Sequence, residues 1–280
     1  MVEESDMAFV PDQDLYRFML RGYHVFDERI PADRLRDMNA TIDDMDARDF
    51  DPDAYPGVAI ERRDGEDGVR IQAVVRNIIE LDPAFGALID LDYVLPWVVT
   101  LLNRPPRITE NYGYFRDANR PADYHAVRDG GQTRNLNHRG SPQIEMVKLV
   151  VPLADQNADT GTLSVIPGSH LVDMRPPFDL DDAEALPELR ILDLAAGQPA
   201  IFTENLYHAG YPGANMTRQR RTLFFSYEPS HHADWVVSPS DECVARCTPR
   251  QRKLLRRPGR WHEDWSAELQ AIAESSPRGR

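Results

Sequence analysis

At 280 residues, with 41% hydrophobic and 28% charged side chains, the chain is long enough for one large domain with a sizeable interior and too ordinary in composition for a disordered or fibrous protein. Its 46 acidic against 32 basic residues leave a net charge of −14, which disfavours a nucleic-acid partner, because phosphate binding needs clustered Lys and Arg and the one basic run, at 250–260, is short. No apolar run of 18 residues suits a membrane span, the opening MVEESDMAF lacks a basic secretory start, and Cys243 and Cys247 have no second pair for a zinc site, so a reducing cytoplasmic setting is expected.

Taken in order, the chain opens with a helix over residues 12–22, capped by Asp12 and stopped by Gly22, with Leu15, Phe18 and Met19 at helical spacing. A short strand at 23–26 follows. A second helix starts at Pro31 and runs to about Ala47, with Leu35, Met38 and Ile42 on one face and acids on the solvated other. Residues 50–67, rich in Asp, Pro, Gly and Arg, read as a loop placed to serve as a substrate lid, and 69–81 as a mixed apolar segment. Asp82-Pro83 opens a helix through Leu91, and residues 93–102 continue as a buried helix.

Pro105-Pro106 ends this helical layer, residues 1–104, and 108–116 is the first strand of a barrel core at about 105–229, with Tyr112, Tyr114 and Phe115 lining a core or a pocket. A helical tail occupies 230–280, with a helix opened by Thr248-Pro249 and a last amphipathic segment carrying Trp261, Trp265, Leu269 and Ile272. The whole reads as a single domain over 1–280.

Four β-type runs, at 143–153, 162–166, 199–203 and 222–227, are separated by Gly, Pro, Asn and Asp clusters, the mark of an antiparallel barrel or sandwich. His138 precedes the first run, His208 follows the third, and Arg220 and Arg221 lead into the fourth. Two histidines at strand ends followed by an arginine pair point to a mononuclear metal beside an anion clamp. Imidazole suits Fe, Zn, Cu and Ni, and two His plus one carboxylate on one face is the non-haem Fe(II) oxygenase arrangement. Guanidinium adds a rigid donor fork that matches a carboxylate, which Lys cannot copy. By spacing alone the same histidines also read as surface or packed residues.

The wording around them narrows this. VKLVVPLADQNADTGTLSVIPGSH at 147–170, GQPAIFTENLYHAGYP from Gly197 and RQRRTLFFSYEP from Arg218 together resemble the phytanoyl-CoA dioxygenase family of Fe(II)/2-oxoglutarate enzymes, over most of the chain. The resemblance implies a mainly β fold with flanking helices and a double-stranded β-helix (jelly-roll) core. It makes His208 the distal iron ligand and Arg220 the partner of the 2-oxoglutarate C5 carboxylate, with Arg221 as the register alternative; Arg116, ending the 108–116 strand, reads separately as a second cosubstrate contact. A small-molecule substrate and molecular oxygen are the implied partners. His170 of the PGSH turn reads as structural, and HHADW at 231–235 as no metal site.

The proximal ligand pair departs from the family. His138-Arg139-Gly140 carries glycine where His-X-Asp or His-X-Glu is the family wording, and the expected metal set is His138, His208 and Glu204. Three repairs stay open. A carboxylate arrives from elsewhere (Glu204, Glu145 or Asp129); or none binds and water or chloride takes its place, as in the His-X-Gly halogenases; or His125 is the proximal histidine. The expected function is an Fe(II)/2-oxoglutarate dioxygenase oxidising, in the main reading hydroxylating, a small metabolite or natural-product intermediate. A non-haem iron halogenase and a catalytically inactive barrel acting as a binding module are the alternatives.

Overall fold

Alternation along one long strand, Arg220–Pro229, sets the two sides of the main sheet. Leu223, Phe225 and Tyr227 point into a large apolar cluster with Phe18, Met38, Ile42, Phe85 and Trp97. Phe224, one step out of phase, packs instead against a second cluster containing Val150, Leu163, Val165, Phe202 and Leu206. One side of the sheet is therefore welded to helices and the other faces a second sheet. Each fully buried side chain of this kind contributes roughly 1.5–3 kcal/mol.

The computed structural model describes residues 10–117, 125–126, 144–172, 186–233, 238–259 and 264–275. Its strands are β1 (Tyr23–Val25), β2 (Ala59–Asp64), β3 (Arg70–Arg76), β4 (Pro106–Arg116), β5 (Val147–Pro152), β6 (Thr162–Val165), β7 (Arg190–Ile191), β8 (Ala200–Thr203), β9 (His208–Tyr211) and β10 (Arg220–Pro229). The helices are α1 (Asp12–Arg21), α2 (Ala32–Ala47), α3 (Pro83–Gly86), α4 (Leu95–Leu102), α5 (Asp241–Arg246), α6 (Pro249–Leu254) and α7 (Ser266–Ser275). A seven-stranded sheet in the order β1-β8-β5-β10-β4-β3-β2 stacks on a three-stranded sheet, β7-β6-β9, all pairs antiparallel. Two antiparallel sheets with helices on one outer face form the jelly-roll architecture expected from the sequence.

Several elements differ from expectation. The supposed lid loop contains β2, which pairs with β3 and extends the main sheet at its edge. Its AIERRD sequence is charged because five of its six side chains are exposed, the usual protection of an edge strand. Helix α3 ends at Gly86 instead of Leu91, and α5, capped by the Ser240 hydroxyl on the Cys243 N–H, has no counterpart in the sequence reading. Helix α1 is preceded by Pro11, with no side-chain cap from Asp12.

Gly22 ends α1 with φ at 82°, a left-handed conformation that glycine adopts freely. A Cβ there would lie 2.6 Å from His170 Nδ1, and His170 Nε2 in turn contacts the Met19 carbonyl at 3.0 Å. The PGSH turn thus pins α1 to the barrel, a structural role for His170.

Candidate active site

Strand β9 starts the site. His208 pairs with Val165 and Gly210 with Leu163, so both turn toward the inter-sheet space. The His208 ring is 6% exposed and lies against Phe202 and His125, at centroid distances of 4.6 and 4.5 Å. Its Nδ1 is 2.8 Å from the Leu206 carbonyl, which can only accept. Nδ1 therefore carries the proton, and the Nε2 lone pair is left for another partner, the tautomer control common to metal-bound histidines. Burial pushes the His208 pKa down to about 4, against the opposing pull of Glu204, so the ring is neutral at pH 7.

His125 meets His208 through the backbone as well as the ring. Its N–H donates to the His208 carbonyl at 3.1 Å, and the His208 N–H donates back at 3.0 Å. Of the two proximal candidates, His125 is the one seen against the distal histidine; His138, with Arg139, Gly140 and Asp129, lies outside the described residues. The two ring centroids lie 4.5 Å apart, with the planes tilted by 54°.

Glu204, expected as a metal ligand, pairs with a lysine. Its carboxylate is buried and Oε1 lies 2.8 Å from Lys148 Nζ, an ion pair off the alignment of a good hydrogen bond. Burial opposes the ionised carboxylate. The Lys148 charge and hydrogen bond, together with His208 and His125, outweigh it and hold the pKa below the usual carboxylate value. Lys148 also donates to the Tyr112 hydroxyl at 3.1 Å and lies 3.7 Å from Glu110. Among the described residues no three His, Cys or carboxylate side chains converge to hold an ion. A buried ammonium thus balances the charge of Glu204, the carboxylate expected from the sequence as a metal ligand. Glu145, half-buried just ahead of β5, is also outside any such group.

The arginines separate by the pleat of β10. Arg221 falls on the helix side, where it donates to Asp43 at 2.7 Å, to the Asn39 side chain at 3.0 Å and to Gln219 at 2.9 Å. It braces α2, on the face of the sheet opposite Arg220. Arg220, 7% exposed, turns inward and donates to the Tyr211 carbonyl at 3.3 Å. It has no carboxylate partner among the described residues. Arg116 is its register partner on β4, and the Arg116 guanidinium lies over Gly210, where a Cβ would sit 2.8 Å from Nη1. Burial first, and the Arg116 charge second, push the Arg220 pKa down to about 9. Two neighbouring guanidinium groups in a space next to a neutral histidine make a seat for an anion.

Lys148 and Gly210 were not singled out from sequence. Lys148 interrupts the apolar run MVKLVVPL, and a lysine inside a buried strand is a signal for an inward polar position.

A jelly roll with two facing histidines and two neighbouring inward arginines, Arg220 buried and Arg116 half-buried, suits a metal and a carboxylate ligand. The sequence profile of the family described as Phytanoyl-CoA dioxygenase (PhyH) matches residues 19–223. The chain belongs to that family, one of Fe(II)/2-oxoglutarate-dependent oxygenases. Among solved structures it is similar to HygX from Streptomyces hygroscopicus with nickel and 2-oxoglutarate bound, at 21% identity, TM-score 0.60, covering 81% of this chain and 90% of that one. EctD from S. alaskensis with 2-oxoglutarate and 5-hydroxyectoine gives 19% identity and TM-score 0.61, covering 81% of this chain and 79% of that one. AviO1 from Streptomyces viridochromogenes Tue57 gives 18% and 0.56, covering 81% and 97%. These likenesses carry the fold. No curated protein matches the chain by sequence.

Proposed function

We propose that this chain is a cytoplasmic Fe(II)/2-oxoglutarate-dependent dioxygenase, one catalytic domain over 1–280, that oxidises a small metabolite or natural-product intermediate by hydroxylation. The observation that carries the reading is the inward Arg220, buried and held down in pKa, with the half-buried Arg116 guanidinium as its register neighbour, close to His208. A dicarboxylate fits such a seat.

The residues present fit the implied metal. His208 offers Nε2 from a ring kept neutral by burial and oriented by the Leu206 carbonyl, and His125 faces it across the β-bridge. His208 and His125 would hold the iron, with His138 the further candidate from sequence. Iron, when bound, supplies the redox chemistry that couples oxidation of 2-oxoglutarate by dioxygen to oxidation of the substrate. The protein's part is placement. Arg220 fixes the distal carboxylate of the cosubstrate with a planar fork, Arg116 adds a second positive group, and Gly210 leaves the space in which Arg116 lies. Phe202, Leu163 and Val165 keep the surroundings of His208 apolar.

Several relatives in fold bind small polar molecules: HygX has been solved with hygromycin B, and EctD with 5-hydroxyectoine. Tyr114 and Phe224, half-buried on the inner face and 5.7 Å apart, offer a wall for a compact substrate of that kind.

The test is succinate formation from 2-oxoglutarate by the purified protein with Fe(II) in air. Succinate above the metal-free level, lost in Arg220→Leu and in His208→Ala, supports the reading. Its absence in the unaltered protein with iron bound overturns it in favour of a binding module.

A further inference from the structure

The inner face of the main sheet carries a line of charged side chains that runs from strand to strand. Glu61 on β2 accepts from Arg76 Nε on β3 at 2.6 Å, and Arg76 Nη1 lies 3.7 Å from Glu110 Oε1 on β4. Across Ser226 of β10, Glu110 Oε2 lies 3.7 Å from Lys148 Nζ on β5, which meets Glu204, just after β8, at 2.8 Å. We infer that this line is the substrate wall and that Glu110 sets its specificity, holding the ammonium group of a compact amino-bearing substrate. The inference rests on the oxygenase reading above and deepens it by naming the substrate class.

Strand register brings the line level with His208. Lys148 stands opposite Phe202 of β8, whose ring lies 4.6 Å from the His208 ring. In the sheet order, β4 with Glu110 is three strands from β8, roughly 14 Å at about 4.8 Å per strand, a span that a compact molecule bridges. Glu110 points inward yet is only half-buried, so the space in front of it is open. Its Oε2 accepts from the Ser226 hydroxyl at 3.1 Å; among the described residues Oε1 accepts no hydrogen bond, because Arg76 at 3.7 Å is out of reach. Tyr114 and Phe224, half-buried with rings 5.7 Å apart at 89°, continue the wall toward the arginines and offer apolar surface to a carbon frame.

Charge selects an amine over an alcohol. Glu61, Glu110 and Glu204 outnumber Arg76 and Lys148, so the line keeps one negative charge once Arg220 and Arg116 are given to the cosubstrate. Arg76 is hydrogen-bonded to Glu61, and Lys148 is held by Glu204 and the Tyr112 hydroxyl, which leaves Glu110 the carboxylate of the line without a close cation. An alkyl ammonium, charged at pH 7 like a lysine, donates to that oxygen in a charge-assisted bond about twice as strong as a neutral hydroxyl makes. The net charge of −14 on the chain favours the approach of a cation as well.

The experiment is titration of the full-length, iron-free protein with two probes of one shape, cyclohexylamine and cyclohexanol, read by saturation-transfer NMR in the unaltered protein, Glu110→Gln and Arg76→Gln. The amine should bind about tenfold tighter than the alcohol. Glu110→Gln keeps an acceptor for Ser226 and removes the charge, so it should cut amine affinity about tenfold and leave the alcohol within about twofold. Arg76→Gln changes an exposed side chain and removes the cation 3.7 Å from the binding oxygen, so amine affinity should rise about threefold. Binding of neither probe, an alcohol that binds as tightly as the amine, or an amine preference that survives Glu110→Gln overturns the inference. If Glu110→Gln fails to fold, Arg76→Gln decides, and an unchanged amine affinity there overturns it. No iron, dioxygen or turnover enters this measurement. A protein that makes no succinate but shows the Glu110-dependent preference therefore loses the proposed reaction and keeps the wall, and one that makes succinate without the preference does the reverse.

Discussion

Replacing Arg220 with Leu has two effects of opposite sign. Holding this guanidinium down from 12.5 to about 9 corresponds, at about 1.36 kcal/mol per pH unit, to roughly 5 kcal/mol of strain on its charged form, caused by burial and by Arg116. Water that enters the cavity lowers the real cost, so relief of about 1–4 kcal/mol is expected when an apolar side chain of similar length takes its place. The cosubstrate-free variant should therefore melt at the same temperature as the unaltered protein or higher. Loss of a charge-assisted clamp removes about 2–5 kcal/mol of binding, so 2-oxoglutarate affinity should fall by at least about thirtyfold. Thermal melts with and without 2-oxoglutarate, together with calorimetric titration, measure both. The unaltered protein should be raised in melting temperature by the cosubstrate and the variant should not. A variant that is clearly destabilised while keeping its 2-oxoglutarate affinity would refute the reasoning, because Arg220 would then be a structural cation.

Arg221→Ala loses the bonds to Asp43, Asn39 and Gln219, so melting should drop by an amount equivalent to about 1 kcal/mol, with 2-oxoglutarate affinity unchanged in the same titration. Gly210→Val places a Cβ 2.8 Å from Arg116 Nη1 and forces the guanidinium aside; cosubstrate affinity should fall about tenfold while Co(II) affinity stays constant. For the metal-free protein, His208 has a folded pKa of about 4, below the unfolded 6.5, so the unfolded chain binds the extra proton between these values. Stability should accordingly fall as pH drops from 6.5 toward 4, by up to roughly 3 kcal/mol, and His208→Gln should lose this part of the acid dependence in pH-resolved denaturation.

His208 and Arg220 stood out in the sequence because each opens a strand, β9 and β10, amid family wording. The choice between Arg220 and Arg221 was also present in the sequence. Odd positions Leu223, Phe225 and Tyr227 form a continuous apolar face, while even positions Thr222, Phe224 and Ser226 are mixed, so the even arginine belongs to the cavity. His125 was harder. It sits in a polar stretch without periodicity, and its closeness to His208 comes from one β-bridge across the fold. The β2–β3 hairpin was hidden because an edge strand needs charge on its surface, which in a linear reading looks like a loop. The fate of Glu204 depended on Lys148, 56 residues away in sequence and opposite it only after folding.

One iron and one 2-oxoglutarate are proposed to meet between His208, His125 and Arg220. Anaerobic Fe(II) titration with 2-oxoglutarate, watching the weak visible charge-transfer band of the chelate, tests it most directly. A band that saturates at one iron per chain, and is lost in His208→Ala and in His125→Ala, is the expected result. A band that survives both substitutions, or none in the unaltered protein, contradicts the account.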